Sequence, residues 1–148
     1  MECLGGNGYV EEGILARHYR ESPVNAIWEG SGNVMCLDVL CALSREGEAA
    51  HSVLADLVRQ CSGLPGAKES AAFIAETLSS PDGEAKARAA VERLALLAAA
   101  AALAESSPRV AEAFARTRLL MPRGGTFGTA ELSVPDVTIL SERALPAP

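Results

Sequence analysis

The stretch NAIWEGSGN, residues 25–33, sets a lone carboxylate, Glu29, between Trp28 and Gly30, directly ahead of an apolar run. A carboxylate in water near a helix start is an N-terminal charge and little else. Half-desolvated against an aromatic wall, the same group holds a proton more tightly and becomes a useful general base. The second segment with chemical content is MECLGGNGY, residues 1–9, where Gly5, Gly6 and Gly8 permit backbone conformations that other residues resist. A dinucleotide fingerprint requires G-x-G-x-x-G between a strand and a helix, and GGNG has neither that spacing nor a preceding strand. Two readings stay open for this loop: a plain structural turn, or a loop whose N–H groups approach a phosphate or flavin fragment. EGSG lacks the G-x-S-x-G pattern of a hydrolase and no strand precedes it, so Ser31 is not a nucleophile. His18 and His51 have no Ser, Cys or carboxylate at catalytic spacing and read as helix-surface residues.

The composition narrows the classes. The chain has 148 residues, 49% of them hydrophobic, enough for one packed domain. Thirteen basic against nineteen acidic side chains give a formal charge of −6, which argues against a general electrostatic grip on nucleic acid or an anionic membrane. Cys3, Cys36, Cys41 and Cys61 form no CxxC pair and read as reduced thiols of a cytoplasmic protein, with no metal site. No signal peptide is expected, and LALLAAAAALA at 94–104 is too short to span a bilayer.

The elements that must carry these residues are helical. GILARHYR, 13–20, reads as a short helix weakened at its start by Gly13 and stopped beyond Ser22 by proline. From Ser31 to Leu43, apolar residues cover most of a helix circumference, which predicts an element buried on several sides. An amphipathic helix is predicted over 48–61, with Val53, Leu54, Leu57 and Val58 on one stripe, and another over 67–78 carrying Phe73, Ile74 and Leu78. SSPDGE, 79–84, launches a long helix to Glu105 through Ser80 or Asp82 as cap and Pro81 in the first turn. Ser107 and Pro108 launch one more, ending near Leu120. Beyond it no helical period is visible, and VTIL at 137–140 gives a weak strand signal. The predicted fold class is all-α, a helical bundle.

Three motifs in order, ECLGGNGY, RHYRESP and VNAIWEGSGNVMCLDVL, resemble the last helices of the flavin-dependent acyl-CoA dehydrogenases, where a GGxGY loop, a YRD-like turn and an I-[YW]-E-G-[TS] segment follow one another at about this spacing. The form WEGSGNVMCLDVL looks most like the AidB-like branch, whose chains continue into an extra helical region. The resemblance covers residues 2–43. It implies two parts: 1–43 as the second part of the dehydrogenase C-terminal helical domain, and 44–148 as the helical extension with an irregular tail.

The resemblance also implies roles. Glu29 occupies the position of the base that takes the α-proton of an acyl-CoA thioester, with FAD as cofactor; Trp28 and Gly30 would border the acyl pocket. Ser31 and Asn33 match positions that touch the flavin nucleotide, and Gly5, Gly6 and Gly8 match a loop that meets the flavin of a neighbouring subunit. Arg20 matches the arginine of the YRD turn and is expected to pair with a carboxylate near the site. Serine replaces the commoner threonine at 31, asparagine the commoner glutamine at 33, and Cys36 stands where many members have arginine. A complete member has further domains ahead of this region, so the chain is expected to be a piece of a larger dehydrogenase, inactive alone, whose exposed apolar surface drives homo-oligomerisation. Two other classes are a non-catalytic oligomerisation piece and a DNA-binding module. Residues 44–148 hold 11 basic and 13 acidic side chains without a basic stripe, which disfavours DNA.

Overall fold

The computed structural model describes residues 1–28, 30–120 and 132–144. Seven α-helices follow one another: α1 (Ile14–Glu21), α2 (Gly32–Arg45), α3 (Gly47–Gln60), α4 (Ala67–Ser79), α5 (Ala87–Ser106), α6 (Pro108–Ala115) and α7 (Val134–Ala144). 3-10 turns cover Glu2–Gly8, Ser22–Ala26 and Gly83–Lys86, and a π turn covers Arg116–Leu120. No strand occurs among the described residues, so the fold is all-α as its periodicity predicts.

The centre of the bundle is α5. Its alanine-rich sequence is the strongest helix former available, and its small side chains let neighbouring helices come close. It packs against α4, α6, α2 and α3. Leu97, Ala100 and Ala101 are buried there with Ile74, Ala67 and Ala71 of α4 and with Cys61, which follows α3. Leu54, Leu57, Leu94 and Phe114 close the edges of this core. The Cys61 thiol donates to the Leu97 carbonyl at 3.5 Å, and burial pushes its pKa up.

Two glycines allow turns to close onto this core. Gly66, at φ +75°, precedes α4, and a Cβ there would lie 2.6 Å from the backbone of Leu119 and Leu120. Gly83 presses on the Thr77 carbonyl with no room for a side chain. The buried Thr77 hydroxyl donates to Phe73 O at 2.8 Å, which leaves no orphan polar group at this joint.

Several boundaries differ from the sequence expectations. After SSPD the chain first makes the 3-10 turn Gly83–Lys86, and the α-helix starts only at Ala87. The Ser80 hydroxyl does accept the Asp82 N–H at 3.3 Å, but it closes a local turn rather than capping α5. Ser107 occupies the N-cap of α6 without a side-chain hydrogen bond, so Pro108 and backbone geometry make that start. Val53 lies on the solvent side of its helix, whereas Leu54, Leu57 and Val58 face the core.

Two expectations are overturned. The segment 134–144 is a helix, not a strand or an irregular tail. Ser133 and Asp136 form a reciprocal capping box: Ser133 Oγ accepts the Asp136 N–H at 3.3 Å, and Asp136 Oδ2 accepts the Ser133 N–H at 3.0 Å. With Pro135 in the first turn, this start signal outweighs the β-branched VTIL run. The second correction concerns α2, which has no fully buried residue. Cys36, Val39, Leu40 and Leu43 form one half-buried stripe, while Val34 (59% exposed), Met35 and Leu37 face solvent. The helix packs on one side only, against α5 with α3 and α4 beside it.

Leu97 is fully buried, so Leu97→Ala should lower the unfolding free energy by about 3 kcal/mol, whereas Val53→Ala at the exposed position should change it by under about 0.5 kcal/mol. Urea unfolding of the two variants checks the assignment, and equal losses would contradict it.

Candidate functional site

Residues 22–33 form a connection in which each turn has a local cause. The Ser22 hydroxyl caps the end of α1 by donating to the His18 carbonyl at 2.7 Å, and Pro23 then forces the change to a 3-10 turn. Backbone bonds from Ile27 and Trp28 to the Val24 carbonyl close the turn, and Gly30 N–H reaches the Ile27 carbonyl at 3.3 Å. Gly30 adopts φ +129°, a conformation that L side chains resist, beside the Met35 side chain. Trp28 is 61% exposed. Glu29, the predicted base, lies outside the described residues, and its described neighbours are Trp28 and Gly30.

Ser31 is the N-cap of α2 in extended backbone and makes no side-chain cap bond. Among the described residues no side chain caps the first turn of α2, and helix N-terminal N–H groups are a donor set chemically suited to phosphate oxygens. Asn33 Oδ1 accepts from Arg88 Nη1 at 2.9 Å, and the Arg88 guanidinium covers Gly32, where a Cβ would meet it at 3.5 Å. Arg88 lies on the first turn of α5, 55 residues away, and sequence reasoning did not single it out. A solvent-facing arginine at the start of a helix carries no periodic or motif signal. Its cation at the positive end of α2 is the less favourable charge for that end.

The glycine loop forms two 3-10 turns joined at Gly5, at φ +54°. Gly8 is buried against the Met1 backbone and has no space for a Cβ, whereas Gly5 and Gly6 face open space. Arg20 finds its carboxylate in Glu11, with both guanidinium ends bonded, at 2.6 and 3.1 Å. The bonds from Arg20 and its charge lower the Glu11 pKa, and Glu11 in turn raises that of Arg20. Around this pair lies a surface hollow of about 520 Å³, lined also by Met1, Tyr9, Ala16 and Tyr19. Trp28, Gly30, Ser31 and Asn33 do not line it. The structure thus places Ser31 and Asn33 together at the start of α2, while Arg20 lies in the hollow with Met1 and Tyr9, which flank the glycine loop. His18 and His51 sit on exposed helix surfaces, His51 bonded through Nδ1 to the Gly47 carbonyl at 2.6 Å.

Large exposed apolar side chains are concentrated in this first part of the chain. Tyr9 (76% exposed), Ile14, Tyr19, Ile27, Trp28 and Val34 all face solvent. No helix among the described residues is long and apolar enough to cross a membrane.

Residues 1–43, which hold the glycine turn, the Arg20 turn and the W-E-G-S sequence ahead of α2, match the family model described as acyl-CoA dehydrogenase, C-terminal domain. The chain is similar to AidB of Escherichia coli (strain K12), with 67% identity over 46 residues, 31% of this chain and 8% of AidB. Acyl-CoA dehydrogenase family member 11 of Caenorhabditis elegans is 48% identical over 44 residues, 30% of this chain and 7% of that protein. The matched segment therefore spans under a tenth of the length of either relative. No solved structure matches the chain.

Because Arg20 stabilises the ionised form of Glu11, that carboxyl should titrate below an ordinary glutamate, and Arg20→Gln should return it toward the usual value near 4.3. The sign follows from the depressed pKa: the contact contributes above the unfolded glutamate pKa and is lost as pH falls through the lowered one. A carboxyl-carbon NMR titration reads both numbers; an unmoved Glu11 in the variant would break the assignment.

Proposed function

We propose that the chain is a C-terminal piece of a flavin-dependent acyl-CoA dehydrogenase and carries the general base for α,β-dehydrogenation of an acyl-CoA thioester. The observation that supports this reading most is the conjunction of the family match over residues 1–43 with an α2 N-terminus that has no side-chain cap, one residue beyond a strained glycine. In this reading Glu29 takes the α-proton of the thioester. Gly30 lets the thioester approach the backbone, and Trp28 borders the acyl pocket. FAD, when bound, supplies the hydride acceptor. Ser31, Asn33 and the first N–H groups of α2 hold its phosphate end. Gly5, Gly6 and Gly8 serve the flavin of a neighbouring copy, and Gly5 and Gly6 have open space around them. Residues 1–43 form the part with site motifs, and 44–148 the AidB-like extension. The chain alone is inactive, cytoplasmic and self-associating, since the apolar residues along its first part lack partners.

A second reading, a non-catalytic helical oligomerisation piece, is favoured by those same exposed side chains. A DNA-binding role has weaker support, because the acidic balance of residues 44–148 disfavours contact with phosphates.

A longer form of the protein containing the domains that precede this region in the family should purify with bound flavin. Its Glu29→Gln variant should keep the flavin but lose thioester-dependent bleaching by at least about 100-fold in rate. Bleaching at an unchanged rate would remove Glu29 from its role; a flavin-free, oligomeric protein would favour the second reading.

A further inference from the structure

The last helix offers a different kind of feature. α7 has no buried residue, yet it rests on α6. Its apolar cover is slight, Ile139 and Leu140 being only half-buried, and so short a helix is marginal by itself. The polar contacts that secure its start converge on one oxygen. Asp136 Oδ2 accepts the Ser133 N–H at 3.0 Å, the Ser133 hydroxyl at 2.8 Å and the Arg116 guanidinium Nη2 at 2.5 Å. The first two bonds start α7; the third ties it to the residue where α6 gives way to the π turn Arg116–Leu120. Arg116 is half-buried, and its Nε has no partner among the described residues. Its guanidinium therefore depends on Asp136 for its only described acceptor.

We infer that Asp136 is a latch that couples the folding of α7 to its docking on α6, so that α7 detaches and melts as one unit when the contact to Arg116 is lost. A cap alone would leave a detached helix of 11 residues with a favourable start but no packing, and such helices are mostly unfolded in water. An ion pair alone would hold the chain near α6 without shaping it. One carboxylate oxygen engaged by both sets of donors makes the two events conditional on each other. The carboxyl pKa is lowered to about 2, through the hydroxyl and N–H of Ser133 first and Arg116 after them. The latch is thus ionised throughout the neutral range. Its sensitivity is to ionic strength and to competition for Arg116, because the pair is only partly shielded from solvent.

Amide hydrogen exchange on this chain tests the coupling. Arg116→Gln leaves the capping box intact and removes the charge on α6. It should raise exchange over residues 134–144 at least tenfold, to about the level of Asp136→Asn, while α4 and α5 keep their protection. Ser133→Ala, which removes the hydroxyl but leaves the ion pair, should raise exchange there by only about fivefold, in line with the loss of one cap. Raising salt from about 0.1 M to about 1 M, which shortens the screening length from about 10 to about 3 Å, should loosen α7 in the parent and do nothing further in Arg116→Gln. Unchanged protection of 134–144 in Arg116→Gln would overturn the latch, since α7 would then fold on its own cap. Should Asp136→Asn prevent folding of the whole chain, the Arg116→Gln result decides alone.

Discussion

The close approach of alanine-faced helices to α5 is the contact on which the rest of the structure depends. Leu97, Ala100 and Ala101 occupy the middle of a 20-residue helix, and α4, α6 and α3 are placed by what those side chains leave room for. Small core residues contribute little apolar area each, so the bundle gains stability through proximity and the number of dispersion contacts rather than through large buried rings. Tight spacing then dictates the turns. Gly66 and Gly83 are found where a single carbon more would strike Leu119 or Thr77, and the joints of the bundle are as close as its helices.

This division of labour separates two halves of different character. From α3 to α6 the apolar side chains largely find one another. From Met1 to Leu37 they face water, and the polar contacts there, Arg17 with Glu21 and Arg20 with Glu11, are surface pairs that set local shape more than stability. The segment that matches the dehydrogenase family thus carries most of the exposed large apolar side chains among the described residues. The helices α3 to α6 beyond it hold the core.

Helix type and order were legible in the sequence because long apolar periods leave little choice: α3, α4 and α5 fall within a few residues of where their stripes place them. The failures have local causes. VTIL reads as strand on side-chain preference, and the reciprocal Ser133–Asp136 bonds that make it a helix lie before the window in which a period is sought. The apolar circumference of α2 reads as burial, but periodicity reports which faces need cover and says nothing of whether this chain supplies it. Of the site motifs the local structure was legible: Gly30 adopts a conformation that L side chains rarely take, Ser31 is the N-cap of α2, and Arg20 pairs with Glu11. Arg88 was not, because nothing in a run of charged and alanine residues shows which arginine will meet an asparagine 55 positions earlier.

That bond has a bearing on how the chain can change in length. One residue of α-helix turns the side chain by about 100°, so an insertion between Arg88 and the core residue Leu97 would swing the guanidinium off Asn33 altogether. Length added between α3 and α4, on the surface turn around Ser62 and Gly63, would leave the same bond in register. Insertions are therefore tolerated unevenly, and the start of α5 is the place where the spacing of the two parts of the chain is counted out.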